Sequence, residues 1–213
     1  FIGLDPYAPL VHSKSWMKAT PKIRAVQAIK EHFANSKVSY DDDSVQQIVK
    51  WLQGKRGVGL MGYTSMTESL LREFEDRGVE FPKGTVSAVI GESEPATEYL
   101  TNAAERLFGV SACMRYSNME MCIIGVTGDD INTYHVDSSS FYVEILEEHG
   151  DRPAEPGKLG RVVITDLYNK AMPLLRYDTG DLGRHPISDE GRELKGQLTV
   201  LRGRRLDILL GGT

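Results

Sequence analysis

Gly57-Val58-Gly59-Leu60-Met61-Gly62-Tyr63 (GVGLMGY), running into Thr64-Ser65-Met66-Thr67-Glu68-Ser69-Leu70-Leu71-Arg72-Glu73-Phe74, is the stretch on which the fold class turns. The first piece reads as a buried strand. In the second, Ser65 and Glu68 have the spacing of a capping box ahead of Leu70, Leu71 and Phe74 at helical intervals. Gly78 stands just past the end of that helix. A buried strand therefore leads directly into an amphipathic helix.

The same alternation continues on both sides. Downstream, Thr85 to Ile90 predicts a strand, and Pro95 opens a helix with Tyr99, Leu100, Ala103 and Leu107 inward, closed by Gly109. Ser111 to Tyr116 is the last strand of the series. Upstream, Asp43 caps a helix carrying Val45, Ile48, Val49 and Leu52, stopped by Gly54. Before it come a short extended piece at Val38 to Tyr40 and a helix started by Thr20-Pro21, with Ile23, Val26, Ile29 and Phe33 on one face. Strands and helices alternating in this way imply right-handed crossovers and a largely parallel sheet. Ligands of such sheets lie beyond the carboxyl ends of the strands. Two segments fall there, Gly91 to Pro95 (GESEP) and Tyr116 to Glu120 (YSNME), and on neighbouring strands they would face each other across one crevice.

After about residue 130 the texture changes. Thr133 to Val136 and Phe141 to Leu146 flank Asp137 and three serines, the pattern of a hairpin. Pro153 and Pro156-Gly157 mark a loop. Arg161 to Leu167, Pro173 to Tyr177, Gln197 to Leu201 and Leu206 to Leu210 are short strands separated by turns. The expectation is an α/β fold with a largely parallel sheet and flanking helices over residues 1–130, followed over 131–213 by a small antiparallel, barrel-like β subdomain.

Composition limits the function classes. The chain has 213 residues, a formal charge of −5 and scattered basic residues, so a nucleic-acid footprint is absent. No apolar run approaches the ~18 residues of a membrane span, and no signal peptide opens the chain. The two cysteines, Cys113 and Cys122, sit in apolar runs and read as reduced core residues of a cytoplasmic protein. A start at Phe1 and an end at Gly211-Gly212-Thr213 read as a piece of something longer. Asp41-Asp42-Asp43 is a helix-start cluster, His135 a structural residue, and Lys55 a solvated turn residue rather than part of a phosphate loop.

Arg176-Tyr177-Asp178-Thr179-Gly180-Asp181 (RYDTGD) carries the most chemistry. It reads as a strand ending at Tyr177, a tight turn at Thr179-Gly180, and a carboxylate projecting at Asp181. A carboxylate can accept two hydrogen bonds from a vicinal diol, which suits ribose. On chemistry alone a turn-capping aspartate accounts for the segment equally simply.

With Ala171-Met172-Pro173-Leu174-Leu175 in front, the stretch AMPLLRYDTGD resembles the signature of the adenylate-forming superfamily. It is most similar to the branch of phenylacetate–CoA ligases and capsule-biosynthesis adenylating proteins. Gly160 to Leu167 (GRVVITDL), Gly203 to Asp207 (GRRLD), GESEP and YSNME fall in the order and spacing that the family uses, over roughly residues 57 to 213. The resemblance implies part of an N-terminal domain whose residues 1–130 bind nucleotide. It implies that Asp181 holds the ribose hydroxyls and that Arg204 adds a ribose contact. Gly91, Glu92, Ser93, Glu94 and Pro95 would lie along one face of adenine, and Tyr116, with Ser117 beside it, on the other. Glu120 would be the catalytic carboxylate that binds Mg²⁺.

The implied cofactors are ATP or AMP, Mg²⁺ and CoA; no zinc is expected, since His185 to Gly196 contains no cysteine. The implied reaction joins ATP to a carboxylic acid and passes the acyl group to CoA, a carrier protein or an amine. Apolar candidates near Met61, Tyr63 and Met119 to Ile123 point to an aromatic or fatty acyl acid. No nucleic acid or membrane partner is expected, and a homodimer fits the class. Three positions depart from the family: Ser117 replaces a glycine, Met119 a hydroxyl residue, and Leu206 an acid at the hinge. Those departures keep open a second reading, a nucleotide- or partner-binding protein on the same scaffold with weakened turnover.

Overall fold

The computed structural model describes residues 10–13 and 42–204, with side chains over 45–200. The helix predicted from Thr20-Pro21, the extended piece at Val38 to Tyr40 and the strand over Leu206 to Leu210 lie outside the described residues. The chain divides into two compact units, Phe1–Cys113 and Met114–Thr213. The division falls inside a strand, ahead of the change of texture at residue 130, because that strand already pairs with the antiparallel part of the chain.

The first unit holds β1 (Leu10–Ser13), β2 (Val58–Tyr63) and β3 (Val86–Glu92), paired in parallel in the order β1-β2-β3. Its helices are α1 (Asp42–Gln53), α2 (Thr64–Asp76) and α3 (Glu98–Phe108). The helical faces follow the apolar spacing: Val45, Ile48 and Leu52 of α1 and Leu70, Leu71 and Phe74 of α2 are buried. On α3 the buried set is Leu100, Ala103, Ala104 and Phe108, so Tyr99 and Leu107 flank the inward face instead of forming it. Phe74 meets Phe81 and Phe108 edge-on, with ring centroids 5.0 and 6.5 Å away. Tyr99 donates to Glu75 Oε2 at 2.7 Å and lies under the Arg72 guanidinium at 3.6 Å, tying α2 to α3. Gly109 closes α3 in the left-handed region at φ 67°.

Two helix starts differ from expectation. The predicted Ser65–Glu68 capping box is not formed: Tyr63 is the N-cap of α2 and makes no side-chain cap bond. A residue distant in sequence does this work, as described below. Pro95 does not open α3, which is capped by Thr97, whose hydroxyl accepts from Leu100 N at 3.1 Å.

The second unit is antiparallel. Its strands are β4 (Ala112–Asn118), β5 (Cys122–Thr127), β6 (Tyr134–Val136), β7 (Phe141–Leu146), β8 (Gly160–Asp166), β9 (Tyr177–Arg184) and β10 (Gln197–Arg204). They are ordered β4-β5-β6-β10-β9-β8-β7. The turn over Asp137 to Ser140 exists, but the expected hairpin does not: β6 pairs with β5 and β10, whereas β7 pairs with β8. Likewise Pro173 to Arg176 is not a strand, and β9 begins where that strand was expected to end.

One core cluster joins Tyr116, Met121 and Ile124 near one end of the strand order to Phe141, Val143, Ile145, Val162 and Ile164 at the other. The sheet therefore curls over its own inner face, in line with the barrel-like expectation. No described helix is long and apolar enough to cross a membrane.

Candidate functional site

The RYDTGD segment is built into a strand. Along β8 and β9, Val163 faces Asp178 while Arg161 faces Leu182, so Thr179, Gly180 and Asp181 stand opposite Val162 alone. A bulge of this size leaves backbone groups without ladder partners. The motif supplies them itself. Asp178 Oδ1 accepts from Gly180 N at 3.0 Å, and Thr179 Oγ1 accepts from Asp181 N at 3.1 Å. The same hydroxyl donates to the Val162 carbonyl at 3.0 Å, opposite the bulge. Gly180 takes φ 79°, a conformation that few other residues tolerate. Asp178 is anchored further by the Arg161 guanidinium, 2.6 Å from Oδ2. The Asp178 and Thr179 side chains and the Gly180 backbone thus shape the bulge, and Asp181 is projected from it. The Thr179-Gly180 turn expected after a strand is this mid-strand bulge.

The neighbouring strand is irregular at the same place. Between Val200, which faces Gly183, and Arg204, which faces Asp181, three residues of β10 oppose only Leu182. The two residues expected to share the ribose, Asp181 and Arg204, are thus backbone partners; the Arg204 side chain lies outside the described ones.

Across the curl, β4 delivers Tyr116. Its hydroxyl donates to Asp181 Oδ2 at 2.6 Å, a contact spanning 65 residues of sequence. Four inter-strand steps separate β4 from β9, about 19 Å on a flat sheet at ~4.8 Å per step, so the curvature makes this bond. Tyr116 is buried beside Tyr134, ring centroids 5.6 Å apart. Burial first, and then the Asp181 carboxylate, push its phenol well above the ordinary tyrosine range.

Glu120 occupies the tip between β4 and β5, a hairpin that sequence reading passed over as an apolar run. Asn118 Oδ1 closes the tip by accepting from Met121 N at 2.7 Å, and Cys122 resumes the strand at φ 61°. Tyr177, the first residue of β9, donates its hydroxyl to Glu120 Oε1 at 2.9 Å. No described donor reaches Oε2. No group of three acidic, histidine or cysteine side chains forms a metal cage among the described residues. A single oriented carboxylate still fits Mg²⁺, which commonly takes one or two carboxylates together with phosphate oxygens and water.

Met119, where the family carries a hydroxyl, is 93% exposed, and Ile123 is also exposed. Met121 belongs to the core cluster of the second unit. Ser117 is half-buried and faces Ile123 in the ladder. Cys122 is exposed, against the expectation of two core thiols; Cys113 is partly buried, and its thiol is pushed up by burial. A depression of about 600 Å³ is lined by Glu148, His149, Gly150, Asp151 and Arg161, none of them a candidate residue.

Gly91 to Pro95 belongs to the first unit. Gly91 and Glu92 end β3 and Glu92 is fully buried, while Ser93 turns the chain at φ 63°. Glu94 then reaches the start of α2: Oε2 accepts from Ser65 N at 2.6 Å and Oε1 from Ser65 Oγ at 2.9 Å. Thr64 Oγ1 donates to the Glu94 carbonyl at 3.2 Å. A carboxylate at a helix N-terminus satisfies an open N–H and complements the dipole. Glu94 is therefore the cap of α2, a nonlocal role with no sequence signal beyond the acid itself. Lys55 is an exposed turn residue, its ammonium 5.6 Å from the Trp51 ring centroid.

Comparison with known proteins follows the same outline. No protein-family model matches the chain. A phenylacetate–coenzyme A ligase of Thermus thermophilus is 31% identical over 121 residues, 55% of this chain and 27% of the relative. The corresponding ligase of Pseudomonas putida is 30% identical over 145 residues, covering 67% and 33%. The chain thus spans about a third of the curated relatives it matches. Among solved structures, an open conformation of 2-hydroxyisobutyryl-CoA ligase with 2-HIB-AMP and CoA superposes with a TM-score of 0.67 at 16% identity, over 97% of this chain and 47% of that one. ATP-bound MatB from Rhodopseudomonas palustris gives 0.59 at 15% identity, covering 95% and 41%. The resemblance to adenylate-forming ligases holds in sequence for the phenylacetate–CoA ligase branch and in fold for the described chain.

Proposed function

We propose that this chain carries part of the nucleotide-binding domain of an adenylate-forming acyl-CoA ligase. In the reaction a carboxylate oxygen attacks the α-phosphorus of ATP, the bond to pyrophosphate breaks, and an acyl-adenylate results. A thiolate sulfur then attacks the acyl carbon, and AMP leaves with the electron pair of the broken C–O bond. Relatives whose names include CoA favour CoA over a carrier protein as that thiol.

The observation that carries this reading is the 2.6 Å bond from Tyr116 to Asp181. It draws the aromatic motif and the diol-binding motif to one place, although neither lies near the other in sequence. Asp181 would hold ribose hydroxyls, with Arg204 opposite it in the ladder. Tyr116 presents a rigid aromatic surface for a base, fixed through its own hydroxyl. Gly91 to Pro95, which the resemblance also assigns to adenine, belong to the first unit, where the Glu94 carboxylate is committed to α2. Mg²⁺ held at Glu120 would offset charge developing on the phosphates. Apolar residues around Met61 and Tyr63 favour an aromatic or fatty acid, in an enzyme acting in the cytoplasm.

The test is acid-dependent exchange of labelled pyrophosphate into ATP by the full-length protein, over arylacetic, benzoic and fatty acids, followed by CoA-dependent AMP release. Exchange requiring an acid is the expected result. The exposed Met119 favours a second reading, nucleotide binding without turnover. Tight AMP binding with no exchange for any acid would establish that reading instead.

A further inference from the structure

Glu120 stands on a hairpin tip next to the almost fully exposed Met119, a poor place for a carboxylate that must hold one orientation. A strand across the curl, β9, supplies what the hairpin lacks. The Tyr177 ring packs against the core cluster of the second unit, and its backbone is in register with Ile164 of β8. Its hydroxyl is therefore a fixed point, and it meets Glu120 Oε1 at 2.9 Å. Both partners are flanked by non-glycine residues with left-handed backbone: Cys122 at φ 61° after the tip and Arg176 at φ 50° before the tyrosine. Such conformations persist where surrounding contacts over-determine them, and they gather at functional sites. Arg176 is held so by its N–H on Thr165 Oγ1 at 3.0 Å and its guanidinium on Glu144 at 3.1 Å.

We propose that Tyr177 is a positioning residue for Glu120: its hydroxyl fixes one carboxylate oxygen so that the other is presented to a divalent cation on the nucleotide phosphates. The role rests on the ligase reading above. Aspartates 178 and 181 of the same segment serve the bulge and the ribose, so this gives the segment's tyrosine a separate task.

The experiment titrates Mn²⁺, followed by its electron paramagnetic resonance signal, into the ATP complex of the full-length protein, alongside calorimetric AMP binding without metal. Removing an outer-shell partner of a metal ligand typically weakens metal binding by about tenfold or more. Tyr177→Phe should do so while leaving AMP affinity and melting temperature unchanged, and should cost nothing further in a Glu120→Gln background. An equal loss in both backgrounds would mean a structural role and overturn the proposal. Unchanged Mn²⁺ affinity in Tyr177→Phe, with Glu120→Gln weakened, would overturn it while leaving Glu120 in place. Should Glu120→Gln itself bind Mn²⁺ normally, both assignments fall, whereas the pyrophosphate exchange above still judges the ligase reading. Glu120→Asp draws the carboxylate back from the tyrosine hydroxyl and should match Tyr177→Phe, an arm that stands even if the phenylalanine variant melts early.

Discussion

Replacing Asp181 by alanine should weaken the protein twice, and the two effects can be separated. The first concerns the second unit itself. Asp181 is the acceptor for the hydroxyl of buried Tyr116, so the alanine variant leaves a desolvated phenol without its partner. An orphaned buried donor costs roughly 1–3 kcal/mol. Asp181 is only half-buried, so water can enter the vacated space and the cost should lie near the lower end, about 1 kcal/mol. For a domain of about 150–250 residues that corresponds to roughly 2–4 °C in melting temperature. Asp181→Asn retains a carbonyl oxygen for Tyr116 and should lose less than half as much. The second effect concerns nucleotide. If Asp181 holds the ribose as proposed, both variants lose its charged acceptor, worth about 1.5–3 kcal/mol, or roughly tenfold to a hundredfold in AMP affinity. Denaturant titration and AMP calorimetry on the full-length protein with both variants give the comparison. The reasoning fails if alanine is as stable as wild type, or if asparagine keeps full AMP affinity.

Three further outcomes follow from the same contacts. Glu94→Ala removes the cap of α2 and should destabilise the first unit by about 0.5–2 kcal/mol in denaturant titration, with Glu94→Gln recovering most of it; equal loss in both would show that an acceptor at that position is not what matters. Gly160→Ala would drive a Cβ into the Leu146 carbonyl oxygen and against Ile145 across the β7–β8 ladder, so it should cost about 1–3 kcal/mol or prevent folding; normal expression and melting would contradict the tight register there. Tyr116 has its folded pKa raised above the ordinary value of 10.0, so its contribution to stability is complete below pH ~10 and declines as pH rises above that toward the folded value. Stability measured against pH should accordingly fall less steeply above pH 10 in Tyr116→Phe than in wild type, and identical slopes would argue against the shift.

What the sequence discloses here is what is written locally. The β2–α2 unit is readable because its strand and helix periods, and the glycine after the helix, all lie within one short stretch. The true cap of α2 is not, since Glu94 comes from another segment and Ser65–Glu68 imitates a local solution. The β4–β5 hairpin is hidden for a related reason: its turn is made by Asn118 and a left-handed Cys122 rather than by glycine or proline. The Thr133–Leu146 segment looks like a hairpin because its turn is genuine, while pairing with β10 and β8 is decided far along the chain. For the site, the motif residues Tyr116, Glu120 and Asp181 stand out by chemical type. Tyr177 does not, because an aromatic residue opening a strand usually signals packing, which it also does.

The bulge in β9 also bears on how this motif can vary. Three residues against one is an excess of two, an even number, so side chains before and after it keep the same alternation between faces. Losing or gaining a single residue between Asp178 and Leu182 would turn every later side chain of the strand over, carrying buried Gly183 and His185 to the other face. Losing two would restore a plain ladder and erase the carboxylate's perch. Point substitutions leave that alternation of faces unchanged, whereas single-residue changes of length do not. Among homologous chains this short interval should behave as a fixed-length word, spelled variously and never lengthened by one letter.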